Sequence, residues 1–451
     1  MSETDTIFAL SSGRPPAAIA VVRVSGPRAR FALETMIGKV PAPRNAALAR
    51  VRDVDGRVID SGLVLFFPGP HSETGEDMAE LQLHGGGAIV AAVLGTLGRL
   101  DGFRPADAGE FTRRAFENGK LDLTEVEGLA DLIYAETEAQ RRLAYGQYAG
   151  RLGKHAEAWR ARLIEALALV EARIDFADEG DVPENLVAPA LGNARVLRDE
   201  IAASLRDDRR GARLRGGLVV AIAGPPNAGK LSLMNRIAQR EAAIVTPVPG
   251  TTRDVIEVHL DLDGYPVTVL DTAGIRESDD PVEQEGVRRA RARAAAADLV
   301  LWVVDAVGAT SGDGPPAMGA GRLWMIRNKI DLVGSAAQQA AGMPAGELGN
   351  SYAVSALTGA GMDALVAALA AHARDAFGGE DVLISRERHR VALRETVEAL
   401  DRASAEGAET PREDIVAEEL RLAARALGRL TGRVDVEEIL EVIFRDFCVG
   451  K

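Results

Sequence analysis

Gly224-Pro225-Pro226-Asn227-Ala228-Gly229-Lys230-Leu231-Ser232 follows an apolar run, Gly217 to Ala223, and leads into the helix-like Leu233 to Ile237. A glycine-rich loop between a buried strand and a helix reads as a phosphate cradle. Gly224 and Gly229 let successive backbone N–H groups turn inward at a helix N-terminus, and Lys230 reaches the β/γ-phosphates. The residue after the lysine breaks the G-x-x-x-x-G-K-[ST] pattern. Leu231 offers no oxygen to Mg²⁺, which takes octahedral oxygen ligands at about 2.0–2.1 Å. Ser232 is no obvious substitute, because adjacent helical residues point about 100° apart. The expectation is tight nucleotide binding with weakened Mg²⁺ affinity and slowed turnover.

Further along, Asn328-Lys329-Ile330-Asp331 follows the apolar Leu323 to Ile326. An aspartate there can accept from guanine N1–H and the 2-amino group, donors that adenine does not present. Ser355-Ala356 follows Tyr352-Ala353-Val354 at the spacing of a second guanine-contacting loop. Between these ends lie Asp271-Thr272-Ala273-Gly274, after the strand Val267 to Leu270, and Gly250-Thr251-Thr252-Arg253-Asp254, ahead of an alternating strand from Val255 to Leu260. These read as switch regions: Asp271 would hold the magnesium shell, the Gly274 N–H would face the γ-phosphate, and Thr252 would close over the metal. Four ordered elements on strand ends imply a GTP-binding domain of the Ras-like P-loop type.

Ile275 stands where Ras-like proteins carry a water-positioning glutamine, and an aliphatic chain can neither orient nor deprotonate water. The acidic stretch Arg276 to Gly286 offers carboxylates that could be swung in. A solvated charge run is the plainer alternative, and the residues themselves do not choose among the four Glu and Asp side chains after Ser278.

At 451 residues the chain accommodates two or three cores. With 47% apolar residues and no bilayer-length apolar run, it reads as a soluble cytoplasmic protein without a secretory signal. One cysteine excludes an intramolecular disulfide, and six scattered histidines give no zinc pattern. A net charge of −14 argues against a generic nucleic-acid coat. Two arginine clusters remain as local candidates for tRNA: Arg206, Arg209, Arg210, Arg213 and Arg215 before the GTPase unit, and Arg386, Arg388 and Arg390 after it. Solvated helix ends flanking an inserted domain are the alternative.

Leu152, Trp159, Leu163, Leu167, Val170 and Ile174 trace one stripe of a long helix, and Val391, Val397 and Leu400, then Leu420, Leu427, Ile439, Leu440 and Ile443, continue in that manner. The expected architecture is α/β plus all-α. It comprises an α/β domain over 1–120, a helical domain in two parts, 121–215 and 377–451, and a P-loop GTPase domain inserted at 216–376. In the first domain Arg23 lies inside the apolar run Ala18 to Val24, Glu80 lies on the strand Met78 to His84, and Lys120 precedes Leu121-Asp122-Leu123. Each reads at first as a surface or salt-bridged charge.

With these elements the terminal Phe447-Cys448-Val449-Gly450-Lys451 completes a pattern that resembles the tRNA-modification GTPase family MnmE, or TrmE, over essentially the whole length. Arg23-Val24-Ser25-Gly26-Pro27, Thr74-Gly75-Glu76-Asp77 and Leu121-Asp122-Leu123 look like the same family. The resemblance implies a homodimer formed through the N-terminal domain and a flavoprotein partner, MnmG. It also implies addition of an aminomethyl-type group to C5 of a tRNA wobble uridine. A 5-formyl-tetrahydrofolate-type ligand would be met by Arg23, Glu80, Lys120 and Lys451. It implies a K⁺-activated GTPase in which Asn227, Thr246, Val248 and Thr251 surround the ion, with Glu283 as the general base or water-orienting group. The family has serine where this chain has Leu231. Cys448 then reads either as a nucleophile that adds to C6 of uracil or as an apolar residue packing the last helix. Readings from other classes are a ribosome-assembly GTPase, a GTP-binding scaffold with hydrolysis impaired by Leu231, and a folate enzyme that needs no GTP.

Overall fold

The computed structural model describes residues 5–175, 186–206, 208–240, 243–244, 257–271, 297–307, 322–333, 351–378, 382–406, 412–434, 440, 443–444, 447 and 450. The chain divides into two compact units. One comprises Met1–Ala130, Gln147–Leu197 and Glu398–Lys451; the other comprises Asp131–Gly146 and Arg198–Val397.

The first unit opens with β1 (Thr6–Leu10), β2 (Ala17–Ser25), α1 (Ala29–Ile37), β3 (Ala47–Arg52), β4 (Val58–Phe67), β5 (Met78–Gly85), α2 (Gly87–Leu97), β6 (Phe103–Pro105), α3 (Glu110–Glu117) and α4 (Leu123–Ile133). Among the described residues six strands form a sheet in the order β3-β4-β5-β2-β1-β6, antiparallel except for the β1–β6 pair. Alternation sorts the two faces. Phe8, Val22 and Val24 enter one core with Leu33 and Met36 of α1 and Val93 and Leu97 of α2. Ile7 and Ala9 pack on the other face against Ala106 and Phe111. Arg23, between Val22 and Val24, therefore belongs to the face that carries α3.

Then follow α5 (Glu138–Tyr148), α6 (Arg151–Asp175), α7 (Val187–Leu205), α8 (Asp208–Gly216), β7 (Leu218–Ala223), α9 (Lys230–Arg240), β8 (Ala243–Ile244), β9 (Glu257–Leu262), β10 (Tyr265–Asp271), β11 (Leu299–Asp305), β12 (Arg322–Asn328), β13 (Ser351–Ala353), α10 (Met362–Phe377), α11 (Glu387–Glu406) and α12 (Glu413–Thr431). Within the first unit α6 packs on α12 although some 260 residues separate their starts. Leu152, Ala156, Trp159, Leu163, Ala166 and Val170 are buried on α6, and Val416, Leu420, Ala423, Leu427 and Leu430 on α12. Ion pairs Glu157–Arg433 at 2.8 Å and Glu171–Arg421 at 2.9 Å show that the two run antiparallel. The helical domain is thus discontinuous, its two parts closed on each other around the inserted GTPase sequence.

Two stripe residues differ from the sequence expectation: Ile174 is 39% and Val391 44% exposed. On α11 Leu400 is buried as expected, and the rest of the buried face is Leu393, Thr396, Ala399 and Ala403. Small side chains permit close helix packing and carry the buried stripe there, whereas a search for large apolar residues passes over them.

In the second unit the described residues form a seven-stranded sheet, β13-β12-β11-β7-β10-β9-β8. Strands β13 through β10 in that order are parallel, and β9 and β8 are added antiparallel. Near-continuous apolar runs suit strands covered on both faces. Val220, Ile222, Val269, Leu301, Val303 and Ile326 meet Leu233, Met234 and Ile237 of α9 and Leu365 and Leu369 of α10. The loop after β7, Asp271 ending β10, Asp305 ending β11, Asn328 ending β12 and Ser355 after β13 consequently share the carboxyl edge of the parallel strands, where open α/β sheets bind ligands.

Candidate functional site

Residues 224–229 link β7 to α9, and Lys230 is the first residue of that helix. Its Nζ donates to the carbonyls of Gly224 and Pro225 at 2.9 and 2.8 Å, so the ammonium is curled over the loop it serves. Burial pushes the Lys230 ammonium down from its ordinary range, while the Asp271 carboxylate acts in the opposite sense. A bound phosphate would oppose that burial effect, because it offers full negative charge where the carbonyls offer dipoles. Asn227 is exposed in the left-handed region at φ 61°. Leu231 and Ser232 are both exposed on the first turn of α9. Among the described residues assigned to the metal shell, Asp271 brings a carboxylate and Leu231 brings no donor. The leucine position therefore does not fit Mg²⁺.

The loops after β12 and β13 are tied to this cradle by Asn328, which is 2% exposed. Its Nδ2 donates to the Ala228 carbonyl at 2.9 Å, and its Oδ1 accepts from the Ala356 N–H at 3.0 Å. Gly229 makes that bridge possible: at φ 89° a Cβ would lie 2.3 Å from Asn328 Nδ2. Asp331 accepts a short hydrogen bond from the Ser355 hydroxyl, and the Ser355 Oγ accepts from the Thr358 N–H at 3.0 Å. Lys329, at φ 66°, pairs with Asp305 at 2.7 Å. The Lys329 ammonium holds the Asp305 carboxyl below the usual range. Arg236 of α9 donates through Nε to the Ala356 carbonyl at 2.9 Å and through its other arm to that of Leu357.

On the sheet of the first unit, Arg23 and Glu80 are direct cross-strand partners. Their side chains meet at 3.0 Å, and Arg23 also pairs with Glu73 at 3.0 Å. The guanidinium lies 5.9 Å from the Phe111 ring centroid. The Thr74–Asp77 loop is held by Ser25 on Glu76 at 2.7 Å, Arg114 on Glu76 at 3.0 Å and Asn118 on the Thr74 carbonyl at 2.7 Å. Lys120 is exposed beyond α3, and its Cε lies 3.3 Å from where a Cβ on Gly75 would stand. This loop touches Arg23 through Glu73 and approaches Lys120 at Gly75. The nearly buried Glu110, paired with Arg104 at 2.6 Å and Arg114 at 3.0 Å, supports it from below. Burial would push the Glu110 carboxyl up, but the Arg104, Asp107 N–H and Arg114 hydrogen bonds together hold it below the usual range.

Residues 6–120 match the N-terminus of the GTP-binding protein TrmE, and residues 123–448 match the MnmE helical domain. The chain is 57% identical to the tRNA modification GTPase MnmE of Rhodopseudomonas palustris (strain BisB18) over 100% of both chains. It is 57% identical to that of Bradyrhizobium sp. (strain ORS 278) over 99% of both. The chain belongs to the MnmE family of tRNA-modification GTPases. Among solved structures it is similar to the G domain of the T. maritima FeoB iron transporter, with 24% identity, 35% of this chain and 99% of that one covered, and a TM-score of 0.23. As an MnmE relative, the protein is a GTPase in tRNA modification.

Several positions that the motifs or the MnmE resemblance single out lie outside the described residues: Thr246, Val248, Thr251, Thr252, Thr272, Ala273, Gly274, Glu283, Cys448 and Lys451. Asn227 through Ser232, Asp271, Asn328, Lys329, Asp331, Ser355 and Ala356 share the sheet edge of one unit; Arg23, Glu80 and Lys120 gather in the other. Sequence reasoning passed over Arg236, Asp305, Glu110, Arg104 and Arg114. Their signals are single charges near element ends, without a motif. The arginine clusters are engaged in the second unit's own framework. Arg215 and Arg386 both pair with Asp131, at 2.9 and 2.6 Å, Arg213 pairs with Asp298 at 2.8 Å, and Arg210 donates to the Phe377 carbonyl at 2.8 Å. Of these four, Arg213 and Arg215 keep 37% and 45% of their side chains exposed while so paired. No helix among the described residues is long and apolar enough to cross a membrane.

Proposed function

We propose that this GTPase drives modification at C5 of a tRNA wobble uridine, acting with an FAD-dependent partner of the MnmG kind and a 5-formyl-tetrahydrofolate-type donor. The observation that carries the reading is the Arg23–Glu80 pair with Glu73, Phe111 and Lys120 around it. A reduced folate has a polar pterin that suits a carboxylate and an anionic glutamate tail that suits lysine or arginine; the residues present fit it. The folate would supply the one-carbon unit. The chain's own residues would bind and orient it: Glu80 at the pterin, and Arg23, Lys120 and the terminal Lys451 toward negative charge. A Cys448 thiolate adding to C6 of uracil would make C5 nucleophilic.

In the GTPase domain, 216–376, the exposed Asn227 supports a K⁺ site completed by Thr246, Val248 and Thr251. A cation there would offset charge developing at the β/γ-phosphates. Thr252 and Asp271 would approach Mg²⁺, Thr272, Ala273 and Gly274 would line the phosphates, and Glu283 would orient the attacking water. The remaining organisation is an N-terminal domain, 1–120, that binds folate and forms a homodimer, and a helical domain from 121–215 and 377–451. We place the protein in the cytoplasm. A second reading, a GTP-binding regulator with impaired hydrolysis, is favoured by the missing oxygen at Leu231.

The test compares GTP hydrolysis by the full chain in K⁺ and in Na⁺, and folate binding by the parent and Arg23→Ala proteins. Strong K⁺-dependent turnover with folate binding lost in Arg23→Ala supports the first reading. GTP binding without turnover in either salt supports the regulator. Folate affinity unchanged by Arg23→Ala removes the observation on which the first reading stands.

A further inference from the structure

The last described residue, Gly450, is joined to the start of the chain. Ser11 Oγ donates to the Gly450 carbonyl at 2.8 Å across 439 residues of sequence. Gly450 has φ 98°, and a Cβ there would lie 2.3 Å from the Leu10 carbonyl oxygen, so the tail lies on the β1 backbone more closely than any side chain permits. Just upstream, Phe444 and Phe447 are buried with Leu123 and Val126 of α4. Phe447 and Gly450, which flank Cys448 in sequence, are therefore each held in place.

Ser11 is itself rigidly placed. Its N–H donates to the Val21 carbonyl at 2.8 Å, and the Val21 N–H donates to the neighbouring Ser12 hydroxyl at 3.0 Å, which extends the β1–β2 ladder by one step. In that ladder Ala9 faces Arg23 and Leu10 faces Val22. Ser11 thus stands two positions from the residue opposite Arg23, roughly 7 Å along the strand. The apolar anchor lies at the start of α4, three residues beyond Lys120. One hydroxyl and one aromatic pair thereby dock Phe444, Phe447 and Gly450 onto the same strands and turn that carry Arg23 and Lys120.

We propose that Ser11 is a positioning residue for the tRNA-modification reaction, its hydroxyl holding Gly450 of the C-terminal Cys-x-Gly-Lys sequence two strand positions from the residue opposite Arg23. The proposal rests on the wobble-uridine reading above for the chemistry that the segment performs. Its geometric part stands without that reading. A hydroxyl-to-carbonyl hydrogen bond of ordinary strength holds such a tail about 2- to 10-fold more firmly than none. Ser11 belongs to no part of the nucleotide site, so GTP hydrolysis should not depend on it.

The full chain has a single cysteine, and this gives a direct probe of the segment. Ser11→Ala and Ser11→Thr would be compared with the parent in three measurements: reaction of the thiol with a chromogenic aromatic disulfide, GTP hydrolysis, and tRNA modification with the flavoprotein partner. The expected result for Ser11→Ala is thiol labelling altered about 2- to 10-fold, unchanged GTP hydrolysis and a lowered modification kcat. Ser11→Thr, which keeps the hydroxyl, should restore both altered values. Labelling identical in all three proteins overturns the clamp. Altered labelling with unchanged modification overturns the positioning role. Labelling altered and rescued, with no modification by the parent, upholds the clamp and refutes the wobble-uridine reading instead.

Discussion

Replacing Leu231 by serine should restore a metal-ligand oxygen at little cost to the fold. The leucine is 47% exposed, so about half of its apolar surface is buried. Complete burial of a leucine side chain is worth roughly 1.5–3 kcal/mol, and truncation at this site should therefore cost about 1 kcal/mol. The position lies in the first turn of α9, where serine is well tolerated. An oxygen contact to a charged group contributes about 1.5–3 kcal/mol. At 1.4 kcal/mol per decade, the Mg²⁺ concentration giving half-maximal hydrolysis should fall by about 10- to 150-fold. The assay is a Mg²⁺ titration of GTP hydrolysis in K⁺ for the parent, Leu231→Ser and Leu231→Ala proteins, with thermal unfolding followed in parallel. Leu231→Ala removes bulk without adding oxygen and should titrate like the parent. A serine variant whose curve overlays the parent's would refute the reasoning, because the shell would then be complete without the hydroxyl.

Asp331→Asn should weaken GTP binding by about 10-fold or more, since an amide nitrogen meets guanine donors with a donor. Calorimetry should also show partial recovery with a xanthine nucleotide, whose 2-oxo group accepts. Gly229→Ala should abolish tight nucleotide binding, because its Cβ would occupy the place of Asn328 Nδ2 at a backbone φ of 89°; an affinity within about 3-fold of the parent's would contradict that assignment. Glu110→Gln should destabilise the N-terminal domain by about 3–5 kcal/mol at neutral pH, leaving Arg104 and Arg114 without their shared carboxylate. The folded-state pKa of Glu110 is depressed. Its contribution is therefore complete above the unfolded value, about 4.3, and is lost as pH falls through the folded value. Urea unfolding across pH should show the gap between parent and Glu110→Gln narrowing in acid, and a constant gap would sink the linkage.

The phosphate cradle was legible because its information is local: Gly224, Gly229 and Lys230 lie within seven residues, between an apolar run and a helix. Asp331 and Ser355 were legible for the same reason, each placed at the end of a recognisable strand. The long stripe Leu152 to Val170 declared α6, whereas the Ala- and Thr-rich face of α11 did not, since small residues give a weak hydrophobic signal. Arg23 and Glu80 stood out singly as charges in strands. That they face each other depends on the β2–β5 register, a relation between residues 57 apart. The arginine clusters looked free because their partners, Asp131, Asp298 and the Phe377 carbonyl, are remote in sequence.

Composition, periodicity and contiguous motifs thus determined that this chain has a GTP-binding domain, a separate α/β domain and helices on both sides. The tertiary structure alone decided that Asn328 joins the P-loop to the Ser355 loop, that α6 closes on α12, and that Gly450 returns to Ser11. A motif is written by neighbours along the chain, whose geometry the backbone dictates. A hydrogen bond across 439 residues exists only after strand order and helix packing have brought its two ends together.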